Sequence, residues 1–347
     1  MLVNLANCFA RDGYATHIVS FVDKITPPLY DIDPNVVIHH FLREYNPNDR
    51  LRNDRIRALT DIVKEIAPDV MIPFLMPVTA YAFRVARKLG IKIIVSERND
   101  PTVSPTDEYW RKERDYVFAH ADGCVFQTSD ALNYFAKRKL SKYAIIRNPI
   151  DLTGVRNDIV QAKDRSRRVV CVAKYEPQKN LNFLLEVFAE FAKTHADYRL
   201  EVYGNDYHDR RPALQQRAEE LGVADKVSLH SAQPNVMNVI YDARMFVLPS
   251  KYEGMPNALI ESVSIGVPSI ASDCPAYGAR TIVKSGQNGW LLNVDDKEAF
   301  VDKMRQLADD DALADTFSAE GRKVRDKFDV NEVYATWRSF ILEVIDK

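Results

Sequence analysis

Along most of its length the chain alternates short β-rich runs with helix-length amphipathic segments, and it does so twice. No other feature limits the fold as strongly. The segments "HIVSFV" (17–22), "VVIHHF" (36–41), "DVMIPFL" (69–75), "KIIVSE" (92–97), "GCVFQT" (123–128) and "YAIIRN" (143–148) read as strands. Helical patterns over 49–66, 77–89 and 107–120 lie between them. Alternation of this kind calls for a parallel sheet with crossover helices. A polar stretch with Pro149 and Gly154, residues 148–168, interrupts it and reads as a linker.

The pattern then restarts. "VVCVAK" (169–174), "YRLEVYG" (198–204), "KVSLH" (226–230), "MFVLPS" (245–250) and "SIASD" (269–273) are the second set of strands. Helices are expected over 180–194, 210–222, 235–243, 257–265, 296–308, 311–327 and 330–345. The expected fold is α/β, with two tandem doubly wound, Rossmann-like parallel-sheet domains facing a cleft. The boundaries are 1–148, a linker at 149–168, 169–328, and a C-terminal helical segment 329–347 that packs back on the first domain. Ligands of such sheets sit outside the carboxyl ends of the strands.

Composition narrows the function classes. The 347 residues carry a net charge of -2, so nothing global favours nucleic acid as a partner. Cys8, Cys124, Cys171 and Cys274 are widely spaced and fit no metal pattern; they read as reduced thiols of a cytoplasmic protein. No run of eighteen apolar residues and no signal peptide is present in the sequence. The chain opens in a helix, with Leu2, Leu5, Ala6 and Phe9 on its apolar face and Gly13 at its stop. A doubly wound domain ordinarily begins with a central strand, so either the fold tolerates its loss or the true start lies upstream.

The densest chemistry lies in "SKYEGMPNALIES" (250–262). Glu253 and Gly254 leave the carboxyl end of a strand, and Pro256 is expected in the first turn of the following helix. Unpaired amides from Met255 through Asn257 to Ala258, with the helix dipole, suit an anion. Glu261 lies about 7.5 Å further along the helix axis. A carboxylate there would repel phosphate, but its two oxygens suit a neighbouring diol, such as that of ribose or a sugar ring. Lys174 and Lys179, in "AKYEPQKN", flank a strand-to-helix turn and can neutralise a departing diphosphate. Solvated loop lysines fit the same residues. Gly204 and Ser231 follow strands on the same edge, and Gly204 permits close approach of a nucleotide. His230 reads as a packed strand-end residue. In the first domain Glu97, Arg98, Asn99 and Asp100 end a strand, with Arg98 and Asn99 as acceptor-side candidates; a solvated loop is the alternative.

Several patterns are discounted or missing. The "DID" at 31–33 and the "DDD" at 309–311 lack a supporting strand end, so no metal is expected. Neither a G-x-x-x-x-G-K-[ST] loop nor a G-x-G-x-x-G fingerprint is present.

The run "EGMPNALIE", from Glu253 to Glu261, together with "AKYEPQKN", "PSKYEG", "SDCP" and "GQNGWLL" in that order, resembles the retaining GT-B glycosyltransferases of family 4. The resemblance covers nearly the whole chain and is strongest over 169–292. It implies a metal-independent enzyme without a cofactor. Its donor would be a nucleoside diphosphate sugar, UDP-linked by the likeness of "SERNDP" to one subgroup. Glu261 would bind ribose hydroxyls, and Glu253 the donor sugar's hydroxyls. The amides of Gly254, Met255 and the neighbours of Pro256 would hold sugar and phosphate, and Lys174 and Lys179 the diphosphate. Three departures stand out: the family's first strand and glycine-rich loop have no counterpart here, Arg98 stands where many relatives carry His, and Thr281 where many carry Glu.

The implied reaction moves a hexosyl or N-acetylhexosaminyl group to a hydroxyl with retention. Its acceptor would be a saccharide or lipid-linked saccharide of cell-surface polysaccharide or glycan synthesis. Rival readings are a nucleotide-sugar epimerase on the same plan, a UDP-sugar-binding pseudoenzyme, and a dinucleotide oxidoreductase, which the missing glycine fingerprint opposes. The basic runs "RKER" (111–114) and "KRKLSK" (137–142) suit either a solvated helix face or peripheral contact with anionic lipid at the inner face of the membrane.

Overall fold

The computed structural model describes residues 1–21, 31–40 and 52–346. The expected strand ends at residues 22 and 41 and the helical pattern over 49–51 lie outside the described residues. Two compact units result, Met1–Asp151 with Asp329–Lys347, and Leu152–Phe328.

The first unit is built from α1 (Leu2–Arg11), β1 (Thr16–Ser20), β2 (Val36–His40), α2 (Arg52–Ile66), β3 (Val70–Met71), α3 (Val78–Leu89), β4 (Lys92–Ser96), α4 (Glu108–His120), β5 (Gly123–Phe126), α5 (Ser129–Phe135) and β6 (Tyr143–Ile145). The second holds β7 (Ser166–Val172), α6 (Leu181–Ala192), β8 (Arg199–Tyr203), α7 (Arg211–Glu220), β9 (Val227–His230), α8 (Val236–Ile240), β10 (Ala243–Leu248), α9 (Asn257–Ser264), β11 (Ser269–Ser272), β12 (Trp290–Leu292), α10 (Lys297–Asp309), α11 (Asp311–Arg322) and α12 (Arg325–Phe328). The last helix, α13 (Val330–Ile345), belongs to the first unit.

In the first unit β3, β4, β5 and β6 form one parallel ladder, while β1 pairs with β2 in another. Among the described residues no ladder joins the two, so the single sheet expected from the alternation is divided. Packing nevertheless links them. Val19 and Phe21 rest on a cluster holding Ile93, Val95 and Phe126 on one face. On the other face Leu5 of α1 and Trp337 of α13 cover Ile94 and Val125. The central strands β4 and β5 are short apolar runs buried on both sides, as parallel strands under helices must be.

The second unit has a six-stranded parallel sheet in the order β12-β11-β10-β7-β8-β9. The chain winds one way from β7 to β9 and the other way from β10 to β12. That reversal between β7 and β10 is the switch point of a doubly wound sheet. Its β10 is buried throughout. The stretch read as a linker is partly structure of this unit. β7 begins at Ser166, and Arg165 donates to the carbonyls of Tyr241 and Ala243 at 3.2 and 3.0 Å. Arg165 is thus held by the fold, while Arg156, Asn157 and Asp158 earlier in the stretch stay exposed. Two short elements, α5 and β12, were not anticipated; seven and three residues are too few for a period to register. No helix among the described residues is long and apolar enough to cross a membrane.

Candidate active site

The segments that leave β7 and β10 flank the switch point, and the structure ties them together. Lys251 N–H donates to the Gln178 carbonyl at 2.8 Å, and Gln178 Nε2 donates to the Tyr252 carbonyl at 2.7 Å. Within this frame Lys179 Nζ donates to Glu253 Oε1 at 2.5 Å, and Ser250 Oγ donates to the same oxygen at 2.7 Å. The side chains are 17% and 9% exposed for Lys179 and Glu253, so the pair is only weakly screened. Asn180 takes a left-handed conformation, φ 57°, and donates to Asp295 Oδ1 at 2.7 Å, fixing the start of α6.

The loop into α9 has a backbone reason for its shape. A Cβ at Gly278 would stand 1.7 Å from the Gly254 carbonyl oxygen, so only glycine lets the two segments touch. Pro256 is the N-cap of α9 rather than a residue of its first turn. Its ψ of 109° is extended, and its carbonyl accepts from Leu259 and Ile260 N–H, both at 3.1 Å. The amides of Gly254 and Ala258 have no partner among the described residues. Met255 is buried and Asn257 exposed at the same turn. Glu261 is half-buried on α9, where burial pushes its carboxyl above the ordinary range. Its carboxylate makes no hydrogen bond or ion pair among the described residues.

Other expected residues lie apart from this pair. Lys174 is 54% exposed; its ammonium sits 5.6 Å from the Tyr207 ring and 4.0 Å from Glu176, with no bond to Glu253. Gly204 is needed for the chain itself, since a Cβ there would come within 1.9 Å of the Ala173 carbonyl oxygen. Ser231 Oγ accepts from Arg211 Nη2 at 3.4 Å, while the His230 ring stacks on Tyr203 at 4.7 Å. Thr281 Oγ1 donates to the Gly278 carbonyl at 2.7 Å, beside the same loop. Arg211, over the Tyr175 ring at 5.2 Å, was not anticipated, nor were Ser250, Gln178 and Gly278. Arg211, Gln178 and Gly278 act through partners distant in sequence, and only the Ser250–Glu253 spacing left a local trace.

In the first unit Glu97 turns back on its own loop. Its Oε1 accepts from the amides of Arg98 and Asn99, each at 3.0 Å. Arg98 Nη1 donates to Asn148 Oδ1 at 2.9 Å, and its guanidinium lies 5.3 Å from Phe74 and 5.5 Å from Trp337. Burial lowers its pKa to about 9. Asn99 Oδ1 accepts from Asp100 N–H at 2.9 Å. The acidic runs are accounted for structurally. Asp33 accepts from Asn35 N–H, Asp310 caps α11, and Asp311 pairs with Arg244 at 2.7 Å.

The pattern "Glycosyltransferase Family 4" matches residues 1–153, and "Glycosyl transferases group 1" matches 156–324, so the two span most of the chain. The chain belongs to the GT-B glycosyltransferases of family 4. Among curated relatives, this glycosyltransferase is 22% identical over 344 residues to an uncharacterized glycosyltransferase of Haemophilus influenzae, covering 98% of this chain and 94% of that one. It is 25% identical over 292 residues to an α-1,4-N-acetyl-D-galactosaminyltransferase of Campylobacter jejuni acting on an undecaprenol-linked glycan, covering 83% and 78%. In fold it is similar to a TarM mutant of S. aureus in complex with Fondaparinux, alpha-GlcNAc-glycerol and UDP. The TM-score is 0.70 at 18% identity, over 84% of this chain and 59% of that one.

Proposed function

We propose that this glycosyltransferase transfers a hexosyl or N-acetylhexosaminyl group from a UDP-sugar to a hydroxyl of a saccharide or lipid-linked saccharide, with retention and without a resident metal. The observation that carries the reading is the Lys179–Glu253 pair at 2.5 Å, beside the open amides of Gly254 and Ala258 at the switch point. The UDP in the TarM complex and the undecaprenol-linked substrate of the Campylobacter relative support the donor and acceptor classes.

As the glycosidic bond breaks, negative charge grows on the diphosphate and positive charge on the sugar ring. In this reading the open amides and Lys179 stabilise the leaving diphosphate, and Lys174, more exposed, gives a second cation. Preorganised donors of this kind are worth about 3 kcal/mol each. Glu261, with its unpaired carboxylate, takes the ribose diol. Glu253 Oε1 already accepts two protein donors, leaving Oε2 for a sugar hydroxyl. That engagement favours hydrogen bonding over covalent attack, and the leaving phosphate takes the acceptor's proton in a same-face displacement. Arg98 and Asn99 are the acceptor-side residues of this reading.

The test is a panel of UDP- and GDP-sugars with a lipid-extract acceptor, reading nucleotide release, product and anomeric configuration. Acceptor-dependent release from a UDP-sugar, with an unchanged anomeric configuration, is expected. Sugar interconversion without acceptor, or an inverted product, overturns the proposal.

A further inference from the structure

The first unit carries a cavity of about 660 Å³ that the reaction does not use, lined by Phe83, Arg84 and Arg87 of α3 and Glu113, Tyr116 and His120 of α4. Ligand sites commonly fall between roughly 300 and 1,000 Å³. Arg87 and His120 stand in the last turns of their helices, just before β4 and β5 begin. The cavity therefore opens at the amino edge of the sheet. Glu97, Arg98 and Asn99 follow the carboxyl end of β4, a strand length away, about 16 Å.

The lining chemistry is specific. Tyr116 is 55% exposed; Phe83 meets its ring edge-on at 6.0 Å, and the His120 ring lies over one of its faces at 4.2 Å, tilted by 32°, leaving the opposite face for a ligand. It offers a fixed aromatic plate. Around it the charges are held in ion pairs. Arg84 pairs with Glu113 at 2.5 Å, and Arg87 sits 3.6 Å from Asp122, which it shares with Lys92 at 3.5 Å. The lining presents planar donors and acceptors side by side. His120 Nδ1 lies 2.7 Å from the Tyr116 carbonyl, which can only accept, so Nδ1 carries a proton and the ring is held in place.

A sugar ring has the complementary surface. Its C–H face stacks on an aromatic plate, and its vicinal hydroxyls bridge planar side chains such as Arg and Glu. We infer that this cavity is a second carbohydrate site, binding an oligosaccharide remote from the point of transfer. The choice of a glycan over another polyol rests on the proposed function. A glycosyltransferase with such a site holds a glycan while its reacting end is elsewhere.

The test uses the full chain saturated with UDP, titrated with maltotetraose, cellotetraose and chitotetraose by calorimetry and saturation-transfer NMR. Saturable binding of at least one is expected. Tyr116→Ala should weaken it about tenfold or more, and Tyr116→Trp should keep it. UDP affinity should stay unchanged in both variants. That control separates the two claims, since loss of UDP binding in the unaltered chain counts against the proposed function alone. No saturable binding to any of the three, or binding that Tyr116→Ala leaves intact, overturns the inference.

Discussion

Lys179 Nζ and Glu253 Oε1 meet at 2.5 Å across the switch point of the second sheet, although 74 residues separate them. One follows β7 and the other follows β10. Neither strand end makes the site alone. The parallel order brings the two loops side by side, and the Gln178 bonds to Lys251 and Tyr252 hold them there.

Breaking this pair should cost both stability and rate. A carboxylate or ammonium left uncompensated in a largely buried place is destabilising, here by about 2 kcal/mol, given the partial exposure of Lys179. Turnover is expected to fall more than tenfold in Lys179→Ala and in Glu253→Gln, read from steady-state kinetics. The double variant should lose less than the sum of the two, because the residues share one interaction. Unaltered turnover in both single variants would reject the site.

Gly278→Ala should harm donor use through the backbone. Its Cβ would lie 1.7 Å from the Gly254 carbonyl oxygen, so the loop carrying the open amides must shift. A tenfold or greater fall in kcat/KM is expected, on the order of the loss of one preorganised donor. Gly222→Ala is the contrast. Gly222 has φ 70° with nothing within 4 Å of an added Cβ, so only strain of about 1 kcal/mol is introduced. Its melting temperature should drop while kcat/KM holds.

How far the sequence disclosed this arrangement depends on the range of each signal. Strand periodicity placed Glu253, Lys179, Gly204 and Ser231 after strand ends, because alternation and turn residues are local. Pro256 was misplaced by one position, since Pro in the cap and in the first turn share the same φ; only its ψ separates them. Lys174 and Lys179 looked equivalent in "AKYEPQKN", yet the turn at Pro177–Lys179 directs one toward Glu253 and leaves the other over Tyr207. Gly278 carried no signal at all: its requirement is a contact with a backbone 24 positions earlier.

Trp337→Ala should unfold the first unit more readily. Trp337 is fully buried on α13, among Leu5, Ile94 and Val125, and lies 5.5 Å from the Arg98 guanidinium. Replacing a buried Trp by Ala costs about 3–5 kcal/mol. Urea unfolding followed by tyrosine and tryptophan signals should show the first unit's unfolding shifted to lower urea. An unshifted transition would mean that α13 contributes little to this unit.

Glu97 sets a pH dependence whose sign can be worked out. Burial raises its carboxyl to about 7, outweighing Arg114 and the two loop amides, which pull it down. Against the ordinary value of 4.5, the folded chain therefore holds a proton that the unfolded chain has released between those two pH values. Where the folded state binds more protons, stability falls as pH rises. The penalty is absent below about pH 4.5 and complete above about pH 7, with an upper size of roughly 3 kcal/mol. Glu97→Gln keeps an acceptor oxygen for the amides of Arg98 and Asn99 but cannot ionise. Urea unfolding at pH 5, 6, 7 and 8 should show the variant gaining steadily on the unaltered protein, with the gap levelling off above pH 7. A gap that stays constant across this range would mean that Glu97 is ionised throughout and that its amide and Arg114 partners, not burial, decide its charge.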